Sequence, residues 1–268
     1  MRIRHLLFAV CLVVAQTAAA RAEGLRVLAA GSLREVVGEV AARYKQATGT
    51  EIAADFGPSG VLRERIERGE PVDLFASADM GHPLKLLADG RAVRVDMFTR
   101  NALCGFAAPK VGLTPANFLN RLVDPAVKLG TSTPKTDPAG DYTWLMFGRA
   151  ETIRPGAYAA LDGKAQRIVG GPGPAAAGNP AAEALSAGAI DVMIGYCSGR
   201  ARMLAAIADL QIVPVPAEIA ASPEYGLAVL KGADPRAADL ALYMLSPEGQ
   251  QVFAKFGFAP VGLPLAQQ

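Results

Sequence analysis

The stretches Leu25-Arg26-Val27-Leu28-Ala29-Ala30-Gly31-Ser32-Leu33 and Glu51-Ile52-Ala53-Ala54-Asp55-Phe56-Gly57-Pro58-Ser59-Gly60 decide the fold. Each reads as a short strand that ends in a Ser-led turn and opens a helix. Behind the first turn, Val36, Val37, Val40, Ala41 and Tyr44 recur at helical spacing and predict a helix over residues 33–47. Behind the second, a helix is predicted over residues 61–68, then a strand over 72–76 and a helix over 83–89. Strands alternating with helices at this pitch predict a parallel α/β sheet with crossover connections. In such sheets ligands bind beyond the carboxyl ends of the strands, where both Ser-led turns fall. A helix start carries unpaired N–H groups and partial positive charge, so two hydroxyl-bearing starts point to a dianion held without Lys or Arg.

The pattern changes near Asn101. Strands are predicted over residues 103–108, 190–196, 211–215 and 227–230, and Lys128-Leu129-Gly130-Thr131-Ser132 reads as a strand end. Asp137-Pro138-Ala139-Gly140 opens a helix over 141–147; further helices are predicted over 181–187, 237–245 and 247–256.

Residues 1–22 read as a secretory signal. Arg2, Arg4 and His5 form a basic start, residues 6–14 an apolar run too short to span a bilayer, and Ala20-Arg21-Ala22 a small-residue cleavage site. Cys11 lies inside the apolar run, not at its end, so no lipoprotein anchor is read. Cleavage after Ala22 and export to a periplasm or cell exterior are expected. Loss of Arg2, Arg4 and Arg21 takes the formal charge from +2 to −1. A near-neutral chain gives no electrostatic reason to bind nucleic acid or a membrane surface. Cys104 and Cys197 remain after cleavage; in an oxidising compartment they form either a disulfide or two buried thiols.

Single residues carry competing readings. Ser32-Leu33-Arg34-Glu35 has the form of a capping box, in which Ser and Glu satisfy each other's backbone donors. Gly31 next to it clears space for an anion, as Gly57 and Gly60 do around Ser59. Asp137 is expected to cap its own helix, with the N–H groups of Ala139 and Gly140 free to point outward. Tyr196 ends an apolar strand, where a phenol can donate to an anion while its ring excludes water. His82, behind a Gly, reads as a surface loop residue. The sequence holds no Gly-x-Ser-x-Gly elbow, no Cys/His metal cluster and no phosphate-binding Gly-Lys-Ser loop.

Together, Ala29-Ala30-Gly31-Ser32-Leu33, Phe56-Gly57-Pro58-Ser59-Gly60, Pro71-Val72-Asp73-Leu74-Phe75-Ala76-Ser77-Ala78-Asp79, Asn101-Ala102-Leu103, Asp137-Pro138-Ala139-Gly140 and Gly195-Tyr196 resemble the periplasmic molybdate-binding proteins of ABC importers, within the type II solute-binding class. The likeness runs over residues 25–262; the ending from Leu245-Ser246-Pro247-Glu248-Gly249-Gln250 to Phe256-Gly257-Phe258 is shared by the wider class. The resemblance implies a two-lobe periplasmic-binding-protein fold, each lobe a mixed sheet flanked by helices, with the ligand cleft between them. Lobe 1 would comprise residues 23–101 plus 212–268, and lobe 2 residues 102–211. It implies a monomeric binding protein, not an enzyme, with no cofactor. Its partners would be a membrane permease and a tetrahedral oxyanion, molybdate or tungstate, bound without direct metal ligands. Carried over residue by residue, Ser32 and Ser59 would contact the anion through hydroxyl and N–H, Ala139 through N–H and Tyr196 through its phenol. A further backbone amide would come from Asn179 in Gly178-Asn179-Pro180. A cage made only of donors suits dianions and disfavours ligands that still carry a proton. Gly31, Asp141, Cys197 and the Gly/Pro/Ala-rich stretch over 170–180 depart from the family pattern, which leaves open another small anion or an organic solute. An enzyme on the same scaffold is a third reading, without a nucleophile–base pair to support it.

Overall fold

The computed structural model describes residues 24–171 and 178–261. The secretory signal read over 1–22 lies outside the described residues. The chain begins with β1 (Leu25–Ala30), α1 (Arg34–Thr48), β2 (Ile52–Gly57), α2 (Ser59–Glu67), β3 (Leu74–Ser77), α3 (Gly81–Ala88) and β4 (Ala92–Arg100). It continues through β5 (Leu103–Ala107), α4 (Phe118–Val123), β6 (Leu129–Ser132), α5 (Pro138–Ile153), α6 (Ala157–Lys164), β7 (Gln166–Val169) and α7 (Pro180–Ser186). The remaining elements are β8 (Val192–Tyr196), α8 (Arg200–Ala206), β9 (Gln211–Pro214), β10 (Glu224–Leu230), α9 (Arg236–Leu245), α10 (Pro247–Lys255) and β11 (Ala259–Pro260).

These strands form two mixed sheets flanked by helices. The first has the order β11-β4-β10-β3-β1-β2 and the second β7-β6-β8-β5-β9. In the first, β1 runs parallel to β2 and β3, as the strand–helix alternation requires. The sheet is not wholly parallel, because β10 inserts antiparallel between β3 and β4. The sequence reading lacks β4. Its Val93, Arg94 and Val95 alternate like a strand, but Arg94 and Asp96 pair with each other on the exposed face and mask the apolar signal. β1 and β10, inside the sheet, are buried almost throughout, whereas the edge strand β2 alternates half-buried and exposed. Leu28, Leu62, Ile66, Phe75 and Leu86 pack between the first sheet and α2 and α3, and each such side chain contributes roughly 1.5–3 kcal/mol.

The chain crosses between sheets twice: after β4 at Asn101-Ala102, and between β9 and β10. The second crossing comes later than the division expected at residues 211 and 212. Residues 212–214 stay in the second sheet because β9 pairs with β5 through Cys104↔Pro214 and Phe106↔Ile212. The two crossings are tied together where Asn101 N–H donates to the Pro223 carbonyl at 2.9 Å. Cys104 of β5 and Cys197, just beyond β8, are joined by a disulfide with Cα atoms 5.0 Å apart.

Candidate ligand-binding cleft

Between the two sheets lies a cleft of about 420 Å³, a size typical of small-molecule sites. The structure brings all five sequence-predicted residues, Ser32, Ser59, Ala139, Asn179 and Tyr196, to its wall. Ser32 and Ser59 come from the ends of β1 and β2, while Ala139, Asn179 and Tyr196 belong to the opposite lobe.

Ser32 does not cap a helix. It sits in a 3-10 turn, Gly31–Leu33, and α1 begins behind it without a side-chain cap, so the expected capping box is absent. Its Oγ instead lies 3.1 Å from the Tyr225 hydroxyl, which also accepts from Asn101 Nδ2 at 3.0 Å. Asn101 donates to Tyr225, and in the arrangement where Tyr225 donates on to Ser32 the Ser32 proton is left for the cleft. Asn101 Nδ2 also reaches Ser198 Oγ at 2.8 Å, so this network links both lobes through a crossing segment. Gly31 beside Ser32 has nothing within 4 Å of where a Cβ would stand, so the approach is open.

Ser59 is fully buried, and its Oγ accepts from the Ala78 N–H at 3.1 Å, which leaves its proton to donate. Gly60, the next residue, donates its N–H to the Thr136 carbonyl at 3.1 Å, so α2 touches the loop before α5 directly. Tyr196 makes a second contact across the cleft, donating its phenol proton to the Ala78 carbonyl at 3.3 Å. Burial raises the pKa of Tyr196 well above that of an ordinary phenol, so it remains a donor at all physiological pH.

Two expected amide donors are already engaged. Asp137 caps α5 as predicted, but its Oδ1 takes the Ala139 N–H at 3.0 Å, and Gly140 N–H goes to the Asp137 carbonyl at 2.8 Å. These amides therefore do not point outward unpaired, because a cap draws on the second residue of its helix. At α7 the Asn179 side chain accepts from Ala182 N–H at 3.3 Å. Its own N–H goes to Glu183 Oε1 at 3.3 Å.

The cleft is also not made of donors alone. The Asp137 carboxyl lies on its wall, and burial pushes its pKa up to about 6 against hydrogen bonds from Ala139 and Ser132. A carboxyl with a raised folded pKa contributes stability below the unfolded value of about 4 and loses it as pH rises through about 6. Asp137→Asn, which keeps a capping side chain, is therefore expected to raise the melting temperature at pH 7.5 and leave it nearly unchanged at pH 4. The gain is on the order of 3 kcal/mol, read by calorimetry at the two pH values.

His82 lies off the cleft. It is buried in the first turn of α3, not exposed in a loop, with Nδ1 3.2 Å from Arg63 and its backbone N–H on Asp79. It faces neither cleft serine. Among the described residues no group of three His, Cys, Asp or Glu side chains could hold a metal ion, and no helix is long and apolar enough to cross a membrane.

Sequence reasoning missed Tyr225 and did not assign Asn101 its role in the network. Tyr225 lies in an apolar strand with no local signal to separate it from a core tyrosine; its position follows from the register that pairs Gly226 with Ser77.

Residues 25–259 match the family described as bacterial extracellular solute-binding protein. An uncharacterized protein of Pasteurella multocida is 36% identical over 241 residues, spanning 88% of this chain and 98% of its own. The molybdate-binding protein ModA of Escherichia coli is 30% identical over 156 residues, 53% of this chain and 59% of ModA. Among solved structures, the sulfate-binding protein SubI of Mycobacterium tuberculosis superposes with a TM-score of 0.73 over 89% of this chain and 87% of that one, at 16% identity, a likeness of fold alone. Two mixed sheets around a cleft, and a family match over nearly all of the described chain, lead to one assignment: the chain belongs to the bacterial extracellular solute-binding protein family.

Proposed function

We propose that this protein is the periplasmic receptor of an ABC importer, exported by its N-terminal signal, acting as a monomer and handing its ligand to a membrane permease. The ligand proposed is a tetrahedral oxyanion, molybdate first and tungstate by the same chemistry. One observation carries the reading: Ser32 and Ser59, from two separate turns of one lobe, line a cleft closed on the far side by Tyr196 and the start of α5. The molybdate-binding relative from Escherichia coli supports the choice of anion. Ligand entry exchanges the Tyr196–Ala78 bond for a bond to the anion, and lobe closure is a hinge motion at the paired crossings around Asn101. No catalysis is proposed: Ser32 and Ser59 bond Tyr225 and the Ala78 amide and not a general base.

A second reading, another small anion or an organic solute, draws on the volume of about 420 Å³, which exceeds what one four-oxygen anion fills. A thermal-shift screen of molybdate, tungstate, sulfate and small carboxylates separates the two. Stabilisation by molybdate or tungstate and not by carboxylates supports the first reading; a response to carboxylates alone overturns it. Ser32→Ala and Ser59→Ala are each expected to weaken oxyanion binding by roughly 1–3 kcal/mol, the cost of leaving a buried charge without one donor. Unaltered affinity of both variants in calorimetric titration contradicts the assignment of these serines.

A further inference from the structure

We propose that Asp137 determines specificity in the cleft by requiring that a tetrahedral oxyanion be held together with one proton, so that a dianion enters only as Asp137 takes up a proton from water. This rests on the reading of the cleft as an oxyanion site. The geometry leaves the carboxyl no way to turn aside. Its Oδ1 is fixed by the Ala139 N–H at 3.0 Å, and Gly170 packs so tightly behind it that a Cβ there would come within 2.7 Å of Asp137 Cβ. The residue is half-buried and shares the cleft wall with Ser132 and Ala139.

Nothing nearby neutralises it. From its own helix it faces Asp141, a like charge that pushes its proton affinity up. From β8 and β10 it faces Tyr196 and Tyr225, and its charge raises the pKa of both phenols, so both stay neutral. Asp79 and Tyr142 act on Tyr196 in the same direction. From β6 comes only the Ser132 hydroxyl. The charged residues lining the cleft among those described, apart from Asp137, are Arg34, Glu35 and Arg202, all exposed.

A bare carboxylate beside a dianion in a partly desolvated cleft is strongly repelled. Protonation removes that repulsion and turns the carboxyl into a donor. With a pKa of about 6, Asp137 is protonated in about one molecule in ten at pH 7, so the required proton weakens binding only about tenfold there. The proton balance is simple: dianion, carboxylate and one proton from water give a complex of dianion and neutral acid. Equivalently, a ligand that arrives with its own proton donates it to the carboxylate. The cleft therefore tolerates protonated oxyanions, which a cage made only of donors would reject.

The test is calorimetric titration of the mature wild-type chain and Asp137→Asn with sodium molybdate and sodium tungstate at pH 6.5 and 8.5, each in two buffers of different ionisation heat. For the wild type, affinity is expected to fall between tenfold and a hundredfold from the lower to the higher pH, with about one proton taken up per anion at pH 8.5. Asp137→Asn keeps the cap and is expected to bind with no proton uptake and the same affinity at both pH values. Wild-type binding that is independent of pH and releases or takes up no proton overturns the role of Asp137 and leaves the oxyanion reading intact. Failure of both anions to bind both proteins at either pH overturns the oxyanion reading and this inference with it. Should Asp137→Asn not fold, the wild-type pH series decides alone.

Discussion

Serine at both Cys104 and Cys197 is expected to lower the unfolding midpoint of the oxidised protein by about 10 °C. The bridge joins residues 93 apart in sequence, so it removes a long loop from the conformational freedom of the unfolded chain. The chain-entropy account gives about 4.6 kcal/mol for a loop of this size, and a protein of this length loses roughly 2–4 °C per kcal/mol. Both cysteines are wanted where they are by packing as well. Cys104 is buried in β5 in one cluster with Phe106, Met193 and Ile190, and Cys197, the first residue of the 3-10 turn after Tyr196, packs against the same cluster. Differential scanning calorimetry of the double variant, and of the wild type under reductant, checks this. Equal midpoints for oxidised wild type and variant would show that the bridge adds nothing.

Gly60→Ala is expected to weaken ligand binding by up to about a hundredfold while leaving the lobe that carries it intact. A Cβ at Gly60 would stand 2.6 Å from the Lys135 carbonyl oxygen and 3.1 Å from Thr136, all of it backbone of the opposite lobe. Within its own helix the change is favourable, because alanine is the better helix former by about 1 kcal/mol. The clash therefore falls on closure and not on folding. Overpacking of this kind costs about 1–3 kcal/mol, equivalent to roughly five- to 150-fold in affinity. Titration calorimetry reads the affinity and a melting curve reads the fold. Unchanged affinity would mean that the lobes need not meet at this point when ligand is held.

Much of this architecture is legible in local pattern. The apolar runs that become β1 and β3 and the helical spacing of Val36, Val37, Val40 and Tyr44 are short-range signals, and they lead to the first half of the fold. β4 is different. It is held by β10, whose partner residues lie about 130 positions away, as in the pairing of Arg94 with Val229, and its Arg94–Asp96 pair gives it a polar surface. The mixed character of the first sheet depends on that pairing. His82 shows the same limit: a Gly-His-Pro sequence reads as a loop, yet packing of α3 against the sheet buries it.

In the cleft, the segments that converge were legible and their hydrogen-bond states were not. Ser32 reads as a cap because Glu35 follows at the right spacing, but Tyr225, brought near by long-range register and held by Asn101, engages its hydroxyl instead. At α5 the cap and a free Ala139 amide were expected together. They exclude each other, since the Asp137 carboxylate that caps the helix takes that amide. The consequence is chemical: a cage expected to consist of donors contains an acceptor.

The central claim is that the cleft holds a small tetrahedral oxyanion through the hydroxyls of Ser32 and Ser59. Titration of the mature chain with sodium molybdate at pH 6.5, followed by calorimetry, tests it most directly. The expected result is saturable one-to-one binding, weakened at least tenfold in the Ser32→Ala, Ser59→Ala double variant. Saturable binding of equal strength in the double variant, or no heat for molybdate and tungstate alike, contradicts it.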